Sequence, residues 1–181
     1  MAKAVPIYKM TLPDAPLRAS APVLLVRLQE MREFELHVRD PENVAELHNM
    51  RIAAKRLRYT LEIFASTLGE DAYPLLKTVT DIQERLGDIH DADVLMDLLE
   101  ATVEKETERE KRLCLKKNSG PPEQVAAVGL VALLARKRQE RERLYHEFVA
   151  FWDALPPDDL ARRFTDLVQV VEDGPTTVSA A

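Results

Sequence analysis

From Leu47 to Leu68 the apolar residues fall at alternating steps of three and four: Leu47, Met50, Ala54, Leu57, Leu61, Phe64 and Leu68. That spacing lines all seven on one stripe of an α-helix, whereas a strand would divide them between two faces. Asp40 followed by Pro41 marks the start of this helix and Gly69 its stop, so the pattern predicts a helix over 41–68. A second stripe, Leu75, Val79, Ile82, Leu86 and Ile89, predicts another helix from Ala72 to Pro74 onward. It continues through Val94, Leu95, Leu98 and Leu99 into the charged residues 104–117. Stripes of this kind are buried by packing helix on helix.

The rest of the chain is punctuated by proline. Pro6, Pro13 and Pro16 make residues 1–16 an extended arm, because proline lacks a helix donor and restricts its predecessor. Ser20 is read as an N-cap with Pro22 in the first turn, opening a helix that runs to about His37. The run Asn118 to Pro122 combines turn formers with helix breakers and is the clearest interruption in the chain. A fourth helix follows over 123–155, with a late seam of Leu144, Phe148, Phe151 and Leu155, and is ended by Pro156 and Pro157. Beyond it lie a short helix over 158–171 and a disordered tail. The expected architecture is an all-α antiparallel four-helix bundle over 17–157, flanked by the arm and by residues 158–181.

Composition narrows the class further. With 181 residues, 46% of them hydrophobic, the chain can bury one core. Five glycines and no sustained β-branched alternation exclude a sandwich or barrel. No stretch approaches the roughly 20 apolar residues that span a bilayer. The first ten residues lack the apolar run of a signal peptide. Cys114 is the one cysteine, which excludes an intramolecular disulfide and a thiolate-built zinc site. A soluble, cytoplasmic protein is expected, with no membrane partner.

A net charge of −6 argues against general affinity for nucleic acid, but the charges are segregated. Between Leu47 and Leu61 there are four Lys or Arg residues and no acid; between Asp88 and Asp97 there are four aspartates and no Lys or Arg. His48, Arg51, Lys55 and Arg58 lie three, four and three apart, forming a stripe displaced by about 100° from the apolar one, with Arg56 near its edge. Like charges at this spacing repel by a few tenths of a kcal/mol, so the stripe calls for a compensating anion. Two sources are open: Asp88, Asp91 or Asp93 on the next helix, or a bound phosphate, which the planar fork of arginine holds bidentately. His48 adds a donor when protonated.

The segment LGDIHDADVL, residues 86–95, has metal-ligating side chains in Asp88, His90, Asp91 and Asp93. Residues 90 and 91 point about 100° apart on a helix, and no E-x-x-H or H-E-x-x-H motif is present. These residues are therefore read as supports that orient the cations; no metal and no cofactor is expected. Gly87 in a helix interior costs about 1 kcal/mol against alanine and points to close packing there. A third basic group, Arg136, Lys137, Arg138, Arg141 and Arg143, places Lys137 and Arg141 on the backward extension of the late seam. Either they snorkel at a bundle end, or they face the same interior as the first stripe. No G-x-S-x-G or Walker-type motif supports nucleophilic or nucleotide chemistry.

Taken together, ELHNMRIAAKRLRYTLEIF and IQERLGDIHDADVLMDLL resemble the CHAD family, the conserved-histidine α-helical domain. The first is similar to its H-x-x-R-x-x-x-[KR]-[KR]-x-R signature at His48, Arg51, Lys55, Arg56 and Arg58; the second is similar to L-G-x-x-x-D-A-D-V at Leu86, Gly87, Asp91, Ala92, Asp93 and Val94. The resemblance covers about residues 45–100. It implies a helical bundle with a basic channel that binds inorganic polyphosphate, and no catalytic activity. It also implies two four-helix units, whereas one signature is present here, so either a second copy pairs as a homodimer to rebuild the channel or the single unit binds more weakly. Polyphosphate carries about one charge per phosphate and no bases, so it needs spaced cations rather than aromatic platforms. Aromatic residues make up 6% of the chain, which disfavours specific nucleic-acid binding. The expected phosphate contacts are His48, Arg51, Lys55, Arg56 and Arg58, then Arg136, Lys137 and Arg141, with Asp88, His90, Asp91 and Asp93 supporting. The rival readings are a scaffolding bundle for an acidic protein partner and a phosphotransferase using His48 or His90.

Overall fold

The computed structural model describes residues 3–5, 7, 16–117, 125–155 and 159–173. The fold is all-α, with five helices among the described residues: α1 (Pro16–Arg32), α2 (Val44–Leu68), α3 (Ala72–Lys117), α4 (Val125–Ala154) and α5 (Asp159–Asp173). No strand occurs among the described residues. The chain divides into two compact units, one made of Met1–Gly87 with Phe148–Ala181, the other of Asp88–Glu147. Helices α3 and α4 each run through both.

The core of the first unit is the pair of seams expected on α2 and α3. Leu47, Met50, Ala54, Leu57, Leu61 and Leu68 are buried, as are Leu75, Val79, Ile82 and Leu86; Phe64 alone of the α2 seam is half-buried. Leu24, Leu28 and Met31 of α1 and Phe148, Phe164 and Leu167 complete it, with α1 packed on α2 and on α5. Gly69 stops α2 with φ of 81°, a left-handed value that favours glycine, and its N–H donates to the carbonyl of Ala65. Residues 69–71 then join α2 to α3. Trp152, the one tryptophan, packs 6.1 Å from Phe148 in this unit and lines a cleft with Arg32, Leu36, Arg39, Leu155 and Leu160.

Three expected boundaries shift. Helix α1 opens at Pro16, so Ser20 is buried inside it rather than capping it, and Pro22 lies beyond the first turn. Proline at the first helical position already has the right φ and loses no bond there. At its other end α1 stops at Arg32, and tight turns carry the chain to Arg39, with Phe34, Glu35 and His37 donating to carbonyls three residues back. Helix α2 starts at Val44 rather than 41 because the Asp40 carboxylate accepts from the Glu42 N–H, closing a separate turn. The tail after 173, the 118–122 break and the Cys114 side chain lie outside the described residues.

The late seam of α4 and its backward extension hold at Leu134, Arg141 and Phe148, with Tyr145 buried where Leu144 is expected. The buried positions are Leu134, Arg141, Tyr145 and Phe148, while Leu144, Phe151 and Leu155 are half-buried. Steps of seven, four and three still follow the helix period, but an arginine occupies the interior line. Glu30 of α1 accepts from the Val5 N–H and from Arg27 at 2.7 Å, both side chains being buried, while most of the expected extended arm over 1–16 lies outside the described residues.

Candidate functional site

Helix α2 carries its cations beside its apolar seam, and packing therefore half-buries them. His48, Arg51, Arg56 and Arg58 are half-buried and Lys55 is exposed. The helix period places His48, Arg51, Lys55 and Arg58 on one stripe, as the spacing predicts. Arg51 meets α3 at Gly87, where an added Cβ would lie 3.6 Å from its Nε, an ordinary contact distance. The glycine of the LGDIHDADV segment thus brings α3 backbone up to the guanidinium of the central arginine.

Two donors on this stripe are buried and unsatisfied. The Nε–H groups of Arg51 and Arg58 have no hydrogen-bond partner among the described residues. Arg58 lies 3.6 Å from Glu62, an ion-pair distance too long for a hydrogen bond. No carboxylate among the described residues pairs with Arg51 or Lys55. A buried donor left unmade costs about 1–3 kcal/mol, so such groups call for a partner. Tyr59 lies between two of the cations, 5.6 Å from Lys55 and 4.9 Å from Arg58, which holds both long side chains without neutralising either.

The α3 aspartates divide. Asp93 is buried and accepts from Arg141 Nε at 2.9 Å, so its cation is on α4. Asp88 and Asp91 are exposed and form no ion pair among the described residues, and His90 is half-buried. Among those residues no group of three or more His, Cys, Asp or Glu side chains could hold a metal ion.

The α4 cations belong to the second unit, and Lys137, Arg138, Arg141 and Arg143 are each paired with an acid. Arg141 stacks 5.5 Å from the Tyr145 ring and faces the interior. Lys137 is half-exposed and donates to Glu140 at 2.6 Å. This bond first, then the charge of Lys137, and after the opposing effect of burial those of Arg143 and Arg136, hold the Glu140 carboxyl below the usual range. Arg136 is exposed on the same surface, beside Lys137, Gln139 and Arg143. Arg138 bonds Glu100 of α3 at 2.7 Å.

Two residues escaped the sequence reading. The Oε1 of Gln83 on α3 is buried without a partner, and Arg85 stacks 4.6 Å from Phe151. For Gln83 a faint signal existed: it stands four residues before Gly87, on the same helical face.

These features define an all-helical domain whose second helix presents a stripe of incompletely satisfied cations. A family model, CHAD domain, matches residues 5–100, more than half of the chain, and the protein belongs to that family. No curated protein and no solved structure matches it. Among the described residues no helix is long and apolar enough to cross a membrane.

Proposed function

We propose that the chain binds inorganic polyphosphate, or a closely similar polyanion, without turning it over. The observation that supports this most is the α2 stripe, where Arg51 and Arg58 each keep a buried Nε–H with no acceptor. Family membership points the same way. Phosphate oxygens supply acceptors in any direction, and a chain of them matches cations repeated every turn of a helix. One turn advances about 5.4 Å, so His48, Arg51, Lys55 and Arg58 offer donors along roughly 15 Å. Lys55, which no carboxylate among the described residues meets, keeps its charge available, and Arg58 shares part of its charge with Glu62 at 3.6 Å. Arg56 stands at the stripe edge. Arg136 and Lys137 would add contacts of lower weight, because Lys137 shares its charge with Glu140. Arg141 contributes least, its charge being met by Asp93.

In this reading the protein is a cytoplasmic binding module. It supplies an antiparallel four-helix bundle as one half of a two-bundle assembly, the other half coming from a second copy. Calorimetric titration with long-chain polyphosphate at two salt concentrations, with the mass of the complex recorded, tests it. Binding that weakens steeply with salt is the expected result, and Arg51→Ala and Arg58→Ala should each weaken it and reduce the salt slope by about 0.7. Unchanged affinity and slope in both variants would remove the site assignment. Absence of binding at low salt by the folded wild type, together with a stoichiometric protein complex, would establish the scaffold reading instead.

A further inference from the structure

We infer that Gln83 of α3 is an uncharged ligand of the same site, donating its side-chain amide to the bound phosphate chain. The inference rests on the polyphosphate reading above and adds to it a residue that charge patterning passes over.

The placement follows from helix geometry. Within this reading α2 and the start of α3 run antiparallel, joined by residues 69–71, and Gly87 lies against Arg51. Moving back one turn on α3 reaches Gln83, and moving forward one turn on α2 reaches Lys55, so the two stand level. Gln83 shares the face of Gly87 and is half-buried, next to the buried Ile82 and Leu86. Its Oε1 is buried with no donor, and its amide nitrogen takes part in no hydrogen bond among the described residues.

The chemistry of an amide suits such a place. Glutamine carries both an acceptor and two donors, and its two ends exchange by turning the terminal torsion. In the loaded site the NH2 end would donate to phosphate, and the carbonyl end, which has no donor among the described residues, would accept from a neighbouring cation without cancelling its charge. A glutamate of the same length would neutralise a cation and repel the ligand. A leucine would fill the space and lose the donor. Gln83 would therefore tune the site without adding to its counterion release.

Titration of wild type, Gln83→Leu, Gln83→Lys and the control Gln169→Lys with long-chain polyphosphate at two salt concentrations tests this. Gln169 is an exposed residue of α5, which packs on α1 and carries none of the stripe, so its variant adds the same charge off the site. Gln83→Leu should bind about tenfold more weakly with an unchanged salt slope, the effect of one lost hydrogen bond to a charged group. Gln83→Lys should bind more tightly and steepen the slope by about 0.7, and Gln169→Lys should do neither. A gain on adding lysine is a result that a merely structural role for Gln83 does not produce. Far-UV circular dichroism confirms that each variant folds. If wild type binds and Arg51→Ala weakens it while all Gln83 variants match wild type, the inference falls alone. If Gln169→Lys equals Gln83→Lys, it also falls, because net charge suffices. If wild type does not bind, the polyphosphate reading falls and takes the inference with it.

Discussion

Replacing Asp93 with alanine should destabilise the second unit severely, and the structure sets the scale. The Asp93–Arg141 pair has side chains only 11% and 10% exposed and a bond of 2.9 Å. Removing the acid leaves a guanidinium in the interior, facing the Tyr145 ring, with its countercharge gone. Breaking a buried pair in this way costs about 3–5 kcal/mol, a large part of the roughly 5–15 kcal/mol that holds a domain folded. For a chain of this length that corresponds to a fall in Tm of roughly 6–20 °C. Replacing both partners, as in Asp93→Leu with Arg141→Met, removes the charge along with its partner and should recover most of the loss. Thermal unfolding followed by far-UV circular dichroism, on wild type, both single variants and the double variant, measures the cycle. A fall below about 2 °C in Asp93→Ala, or a double variant as unstable as the sum of the singles, would refute the interior-pair account. The double variant should also bind polyphosphate within about twofold of wild type, because the charge of Arg141 is spent inside the fold.

Three smaller predictions follow from other contacts. Gly87→Ala should be accepted, because its Cβ would sit 3.6 Å from Arg51 Nε, and should stabilise α3 by up to about 1 kcal/mol, read by denaturant unfolding. Gly87→Leu should push into that guanidinium and weaken polyphosphate binding while leaving helicity unchanged. The Glu140 carboxyl is held low chiefly by Lys137, so its contribution to folding is present at neutral pH, above the unfolded value, and is lost as pH falls through the lowered one. Lys137→Met should move its NMR titration midpoint upward toward the ordinary carboxylate range. Glu30→Ala should release the arm from α1, leaving Arg27 buried without its acid, and limited proteolysis should then cut near Val5 faster than in wild type.

The parts of this protein legible in its sequence are those that one periodicity determines alone. The α2 seam and the α3 seam from Leu75 to Ile89 are legible nearly residue for residue, because nothing polar interrupts them and Gly69 gives a sharp stop; beyond Ile89 the stripe fails, with Val94 and Leu98 exposed and Leu99 buried. The start of α1 differs because the proline pattern assigns Pro16 to the arm and the cap to Ser20, whereas proline also fits a first helical position. On α4 the spacing puts Arg141 on the seam but leaves open whether it snorkels or faces the interior; it goes inside, with an acid 48 positions away that hydropathy alone does not reveal. At the candidate site, the cationic stripe is a matter of spacing and could be read directly. The buried state of Arg51 Nε and of Gln83 Oε1 could not, since it depends on how closely α3 approaches α2.

The position of Trp152 has a practical consequence for all of these measurements. The chain has one tryptophan, and it belongs with Phe148 to the first unit. Emission from that indole is consequently an optical reporter for one unit and silent about the helical pair of Asp88–Glu147. A variant such as Asp93→Ala can lose its ellipticity in an early step while the fluorescence curve stays in place. Coincident curves by the two methods would mark the units as melting together, and separated curves would give each unit a melting temperature of its own without labelling the protein.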